Sequence, residues 1–146
     1  MGNVFAELTL KNSGDVTNVN RGIIKENEIR SLTVTALVDT GAITLVINED
    51  MQRKLGLALR GEREATVANE TKVMCKITDP VEVHWKNRFT AIPALVMPGG
   101  AGVLLGAIPL EDMDLIVDPA RQALIGAHGD EIVSIVKRVT PKRALE

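Results

Sequence analysis

The sequence predicts an all-β domain, closed or sandwiched, with one or two short helices. Three observations carry that expectation. Apolar residues recur at period two in short runs, turn-forming Gly, Asn, Asp and Pro separate the runs, and only two segments carry helix-start signals. At 146 residues and 45% apolar composition the chain can fill one core, so residues 1–146 are expected to form a single domain.

Val4 to Leu10 alternates, with Ala6, Leu8 and Leu10 set against Glu7 and Thr9, and Asn12-Ser13-Gly14-Asp15 is expected to turn the chain into a first hairpin. From Ile29 to Val38 the pattern becomes fully apolar at Ala36-Leu37-Val38, as in a strand entering the core and delivering Asp39 to a glycine turn. Ile43 to Ile47 returns to strand composition. Asn48 then caps a helix with Glu49 and Asp50 in its first turn and Gly56 as its stop. Arg63 to Val67 and Lys72 to Ile77 read as a hairpin around the polar tip Ala68-Asn69-Glu70-Thr71. Val81, Val83 and Trp85 alternate with Glu82, His84 and Lys86, and Asn87-Arg88 turns the chain into Phe89 to Val96.

Met97 to Gly102 is a loop, too short for a linker. Val103-Leu104-Leu105 is a short buried strand ending at Gly106, and Pro109 suits the first position of a helix through Met113. Leu115 to Val117, the Asp118-Pro119 turn, Ala123 to Ile125 and Ile132 to Val139 supply the last strands. No internal repeat is visible, and the closing Leu145-Glu146 pair reads as a tag scar.

A net charge of −2, with one Trp, two Phe and no Tyr, leaves neither a basic groove nor stacking platforms for nucleic acid. No apolar run approaches the ~20 residues of a spanning helix, the first ten residues lack a secretory pattern, and Ala6 breaks a myristoylation motif, so no membrane partner is expected. With a single Cys75, a reducing, cytoplasmic location fits. Cys75, His84 and His128 lack metal-ligand spacing, and Asp112, Asp114 and Asp118 suit capping and turns, so neither metal nor other cofactor is expected. Gly99-Gly100-Ala101-Gly102 lacks the Lys-Ser/Thr of a phosphate loop.

Chemistry concentrates at Val38-Asp39-Thr40-Gly41-Ala42. Taken alone, Asp-Thr-Gly is also an ordinary turn. A single carboxylate cannot be base and acid at one moment, whereas two sharing a proton divide those roles. The chain has no second Asp-Thr-Gly or Asp-Ser-Gly, so the other carboxylate must come from Asp39 of a second copy. Later in the chain, Leu104-Leu105-Gly106 lets a strand run close beneath another turn.

The two motifs in this order resemble the retropepsin-like aspartic peptidases, relatives of the retroviral proteases in bacteria. The apolar strand ending in Asp-Thr-Gly-Ala and the element Val103 to Pro119 carry the resemblance, which spans roughly residues 29 to 125. It implies a closed barrel active as a two-fold homodimer, with an extended peptide or protein as substrate. It also assigns Asp39 as the catalytic residue, Thr40, Gly41 and Ala42 as the active-site turn and dimer lock, and Leu104, Leu105 and Gly106 as its support. Ala68, Asn69, Glu70 and Thr71 would form a flap over the peptide. The chain departs from the family at the flap tip, where Asn69-Glu70 stands in place of Gly, and after Gly106, where Ala107 replaces the retroviral Arg. The alternative is a catalytically weak or inactive binding and assembly module on the same fold.

Overall fold

A computed structural model describes residues 2–67 and 69–130 of the chain. Strand β1 (Val4–Asn12) leads into helix α1 (Ser13–Asn20) and a single 3-10 turn (Glu26–Glu28), then β2 (Ser31–Val38) and β3 (Leu45–Asn48). Helix α2 (Glu49–Lys54), β4 (Leu59–Thr66), β5 (Lys72–Trp85) and β6 (Arg88–Met97) follow. Strand β7 (Val103–Leu105), α3 (Ala107–Asp112), β8 (Leu115–Asp118) and β9 (Ala123–Gly126) complete the described elements.

The main sheet runs β1-β2-β7-β3-β6-β5 and closes on itself, because β5 also pairs with β1 through Thr9–His84 to Asn12–Val81. The result is a closed barrel, with β4 hydrogen-bonded to β5 outside the ring. Closure follows from the length of β5, whose first half carries β4 and whose second half reaches β1. A bulge between Ile77 and Pro80 lets this long strand bend. Buried Thr78 repairs the ladder there: its Oγ1 accepts from Ala94 N at 3.0 Å and donates to Asp79 O at 2.7 Å.

Alternating residues fill the barrel. Leu8, Leu10, Leu45, Ile47, Val81, Val83 and Leu105 are each no more than 1% exposed. Burying such side chains contributes roughly 1.5–3 kcal/mol apiece.

Three expected details are corrected. The segment after β1 is a two-turn helix, not a hairpin turn: Asn12 Oδ1 caps α1 by accepting Asp15 N at 3.0 Å, and β1 pairs with β2 across the helical excursion. Lys86, at φ 50°, makes the β5–β6 turn with Asn87, while Arg88 already belongs to β6, 2% exposed. Its guanidinium donates to the carbonyls of Met113 (3.0 Å), Asp114 and Gly129. Gly106 occupies the N-cap of α3, which puts Pro109 third in the helix, still within the turn that needs no N–H partner. The expected strand Ile132 to Val139 and the Leu145-Glu146 pair lie outside the described residues.

Candidate active site

Strand β2 ends at buried Val38, and the next residue is held by β7: Asp39 N donates to Leu105 O at 3.0 Å. The chain then turns, with Ala42 N donating to Asp39 O at 3.0 Å and Gly41 N donating to the Asp39 carboxylate Oδ1 at 2.9 Å. A backbone N–H aimed at one carboxylate oxygen fixes its orientation, and among the described residues no hydrogen bond reaches the other. Gly41 has no left-handed backbone. What it supplies is space, since a Cβ there would sit 3.2 Å from Oδ1.

Support comes from β7, wedged parallel to β2 and antiparallel to β3. Beyond it, Ala107 N and Ile108 N donate to the carbonyls of Ala42 and Ile43, each at 2.8 Å. Gly106 makes this approach possible, because a Cβ would meet Thr44 O at 2.4 Å and Ala42 O at 2.6 Å. The structure thus brings Asp39, Thr40, Gly41 and Ala42 together with Leu104, Leu105 and Gly106.

Asp39 is half-buried and Thr40 and Gly41 are exposed, so the turn opens to the surface instead of folding against its own barrel. Its rim is apolar, formed by Ile43 and Ile108 at 69% and 51% exposure. Register defines a floor that sequence reading missed. Leu37 pairs with Leu104, Leu104 with Val46, Val46 with Leu95, and Leu95 with Ile77. Each is half-buried, and the strand neighbours of Leu37, Leu104, Val46 and Leu95 point into the core, so this apolar row lines the outer face, on the side to which the alternation of β2 assigns Asp39.

The hairpin β4–β5 projects from the same sheet. Its tip is held by Val67 N to Thr71 O (2.9 Å), Glu70 N to Val67 O (2.8 Å) and Thr71 N to Asn69 Oδ1 (3.1 Å). Glu70 takes the left-handed conformation, φ 62°, that glycine adopts without cost. Ala68 lies outside the described residues, and no hydrogen bond joins the tip to the Asp39 turn among those described.

Among the described residues, the cysteine, the histidines and Asp118 are engaged in other roles. Cys75 is fully buried beside Met97 (Sγ–Sδ 3.3 Å), and burial pushes its thiol pKa up, away from the nucleophilic thiolate. His84 pairs with Glu82 at 2.8 Å and stacks on Phe89, while His128 faces Asp114 at 2.9 Å. Asp118 Oδ1 accepts from Ala120 N and Arg121 N, a turn role. A cavity of about 470 Å³ lies elsewhere, between β1, the end of β5 and β9, and includes no residue of the Asp39 turn.

A closed barrel that presents one aspartate in a glycine turn, propped from below by an apolar-apolar-Gly strand, defines the retropepsin-like class. The family model for aspartyl proteases matches residues 26–108, more than half of the chain, and the chain belongs to that family. No curated protein matches it.

Proposed function

We propose that the protein is a homodimeric aspartic endopeptidase whose active site forms where two copies bring their Asp39 turns together. The observation that carries this reading is the Asp39 carboxylate itself, oriented by Gly41 N and turned outward with no second carboxylate in its own loop. Across a two-fold axis, two such groups a few ångströms apart cannot both ionise cheaply, so one keeps the shared proton. The charged member draws a proton from a bound water, which attacks the peptide carbonyl, and the protonated member gives its proton to the leaving nitrogen as the C–N bond breaks. The enzyme forms no covalent intermediate and uses no cofactor. Activity is expected at acid to mildly acidic pH, where the pair holds a single proton.

Other features support the same reading. Thr40 is exposed at the turn, which suits the dimer-lock role that this reading gives it. The outer edge of β4 is unpaired among the described residues and can accept an extended peptide by strand addition, with Asn69, Glu70 and Thr71 closing over it together with Ala68. Among the described residues no helix is long and apolar enough to cross a membrane, and the single reduced Cys75 suits the cytoplasm. We read residues 1–146 as one domain.

The second reading, an inactive peptide-binding or assembly module, is favoured by Glu70, which puts a strained, charged residue at the flap tip. A diverse peptide library assayed from pH 3 to 7, with a pepstatin-type inhibitor as probe, separates the two. The endopeptidase reading expects cleavage that the inhibitor blocks and that Asp39→Asn abolishes while the dimer stays folded. Turnover surviving that substitution would remove the mechanism, and a folded dimer that neither cleaves nor binds the inhibitor would favour the module.

A further inference from the structure

Arg63 stands out on the flap hairpin. Antiparallel pairing sets Arg63 opposite Cys75, Ala65 opposite Val73 and Gly61 opposite Ile77, and paired residues share a face of the sheet. Ile77 continues through Leu95, Val46 and Leu104 to Leu37, the apolar floor on the side of Asp39. Arg63 is therefore on the inner face of the flap. It is the only charged residue on that face from Gly61 to Ala65 and from Val73 to Ile77; Glu62, Glu64, Lys72 and Lys76 lie on the opposite face.

Two neighbouring cations have partners. Arg60 binds Asp79 at 3.2 Å and Lys72 binds Glu64 at 3.6 Å. Arg63 is exposed and has no ion pair among the described residues. An isolated guanidinium on an otherwise apolar inner wall is complementary to a carboxylate, which it can grip with two parallel N–H bonds.

We propose that Arg63 is a specificity-determining residue that selects peptides carrying Asp or Glu some distance from the bond cleaved. This rests on the endopeptidase reading above. Val67 at the tip is four residue steps from Arg63, about 13 Å, so with the tip over the bond cleaved the preferred acid falls about four residues from it. A two-fold dimer presents a second copy of Arg63 at the other end of the cleft, so the preference recurs on the far side of that bond.

The test uses the full-length dimer and peptides identical except for Glu, Gln or Lys at each position three to five residues from a mapped cleavage site. Assay at about pH 6 keeps glutamate ionised. Wild type is expected to favour Glu over Gln by roughly three- to tenfold in kcat/KM, mainly through KM, and the preference should shrink at high salt. Arg63→Glu is expected to reverse the order to Lys over Glu. Because the ratio is taken within each variant, lost folding cancels. Equal cleavage of Glu and Gln peptides by wild type, or an unchanged ratio in Arg63→Glu, overturns the inference and leaves the peptidase standing. If wild type cleaves no peptide at all, the peptidase reading fails and the inference falls with it.

Discussion

At Gly106 a hydrogen atom stands where any side chain would collide with backbone: Thr44 O, Ala42 O and Thr44 N all lie within 2.7 Å of the position a Cβ would take. Backbone cannot rotate aside as a side chain can, so Gly106→Ala is expected to destabilise the protein by about 2–3 kcal/mol. Urea denaturation measures that loss, and activity should fall further than stability because the Ala42 and Ala107 backbones that position the turn are forced apart. Cys75 makes the opposite kind of prediction. Sealed from solvent with its thiol kept protonated by burial, it should resist a thiol reagent in the native protein at neutral pH and react fully once the chain is unfolded; rapid native labelling would contradict its buried placement. Sequence made Asp39 and Gly41 legible through their local turn, and Gly106 through the apolar run it ends, although the Ala42 and Thr44 carbonyls it meets are distant in the chain. It could not expose Arg88, whose partners Met113, Asp114 and Gly129 are distant in the chain.

Helices α1 and α2 show where such reading succeeds and fails. Helix α2 announces itself locally: Asn48 Oδ1 accepts Met51 N at 2.9 Å, Glu49 and Asp50 fill the first turn, and Gly56 ends it at φ 62°. Helix α1, SGDVTNVN, has almost no apolar stripe and looks like a turn. Tertiary bonds hold it instead. Buried Asp15 receives Arg30 N, Nε and Nη2, all at 2.9 Å, and Asn12 Nδ2 donates to Leu55 O at 2.9 Å. Hydrogen bonds from Arg30 hold the Asp15 carboxyl below its ordinary pKa. The unfolded chain therefore binds the proton more tightly, so the stabilisation is complete above the ordinary carboxylate value of ~4 and is lost as pH falls through the lowered one. Asp15→Asn should be less stable than wild type at pH 7, and the gap should narrow towards pH 2 in thermal melts. A gap independent of pH would remove the ionic contribution of this pair.

For the whole molecule, an all-β domain, closed or sandwiched, was legible from alternation and turn spacing and the barrel only through the family resemblance, but the apolar floor was not legible. Leu37, Leu104, Val46, Leu95 and Ile77 come from five strands and are joined only by register. If each chain contributes one Asp39, specific activity must fall on dilution below the dimer dissociation constant, and the melting temperature must rise with protein concentration. Constant specific activity down to a concentration at which sedimentation shows monomers would exclude a shared site.

Strand β7 also sets an order of assembly. Three residues, Val103–Leu105, slot between β2 and β3, and the loop carrying Asp39 is tied by Leu105 O and by Ala107 N. Such closure cannot form before β7 has been synthesised, late in the chain. A nascent chain that has not yet emerged past α3 lacks these ties, so on the endopeptidase reading proposed above the Asp39 turn is not set until most of the barrel has been made.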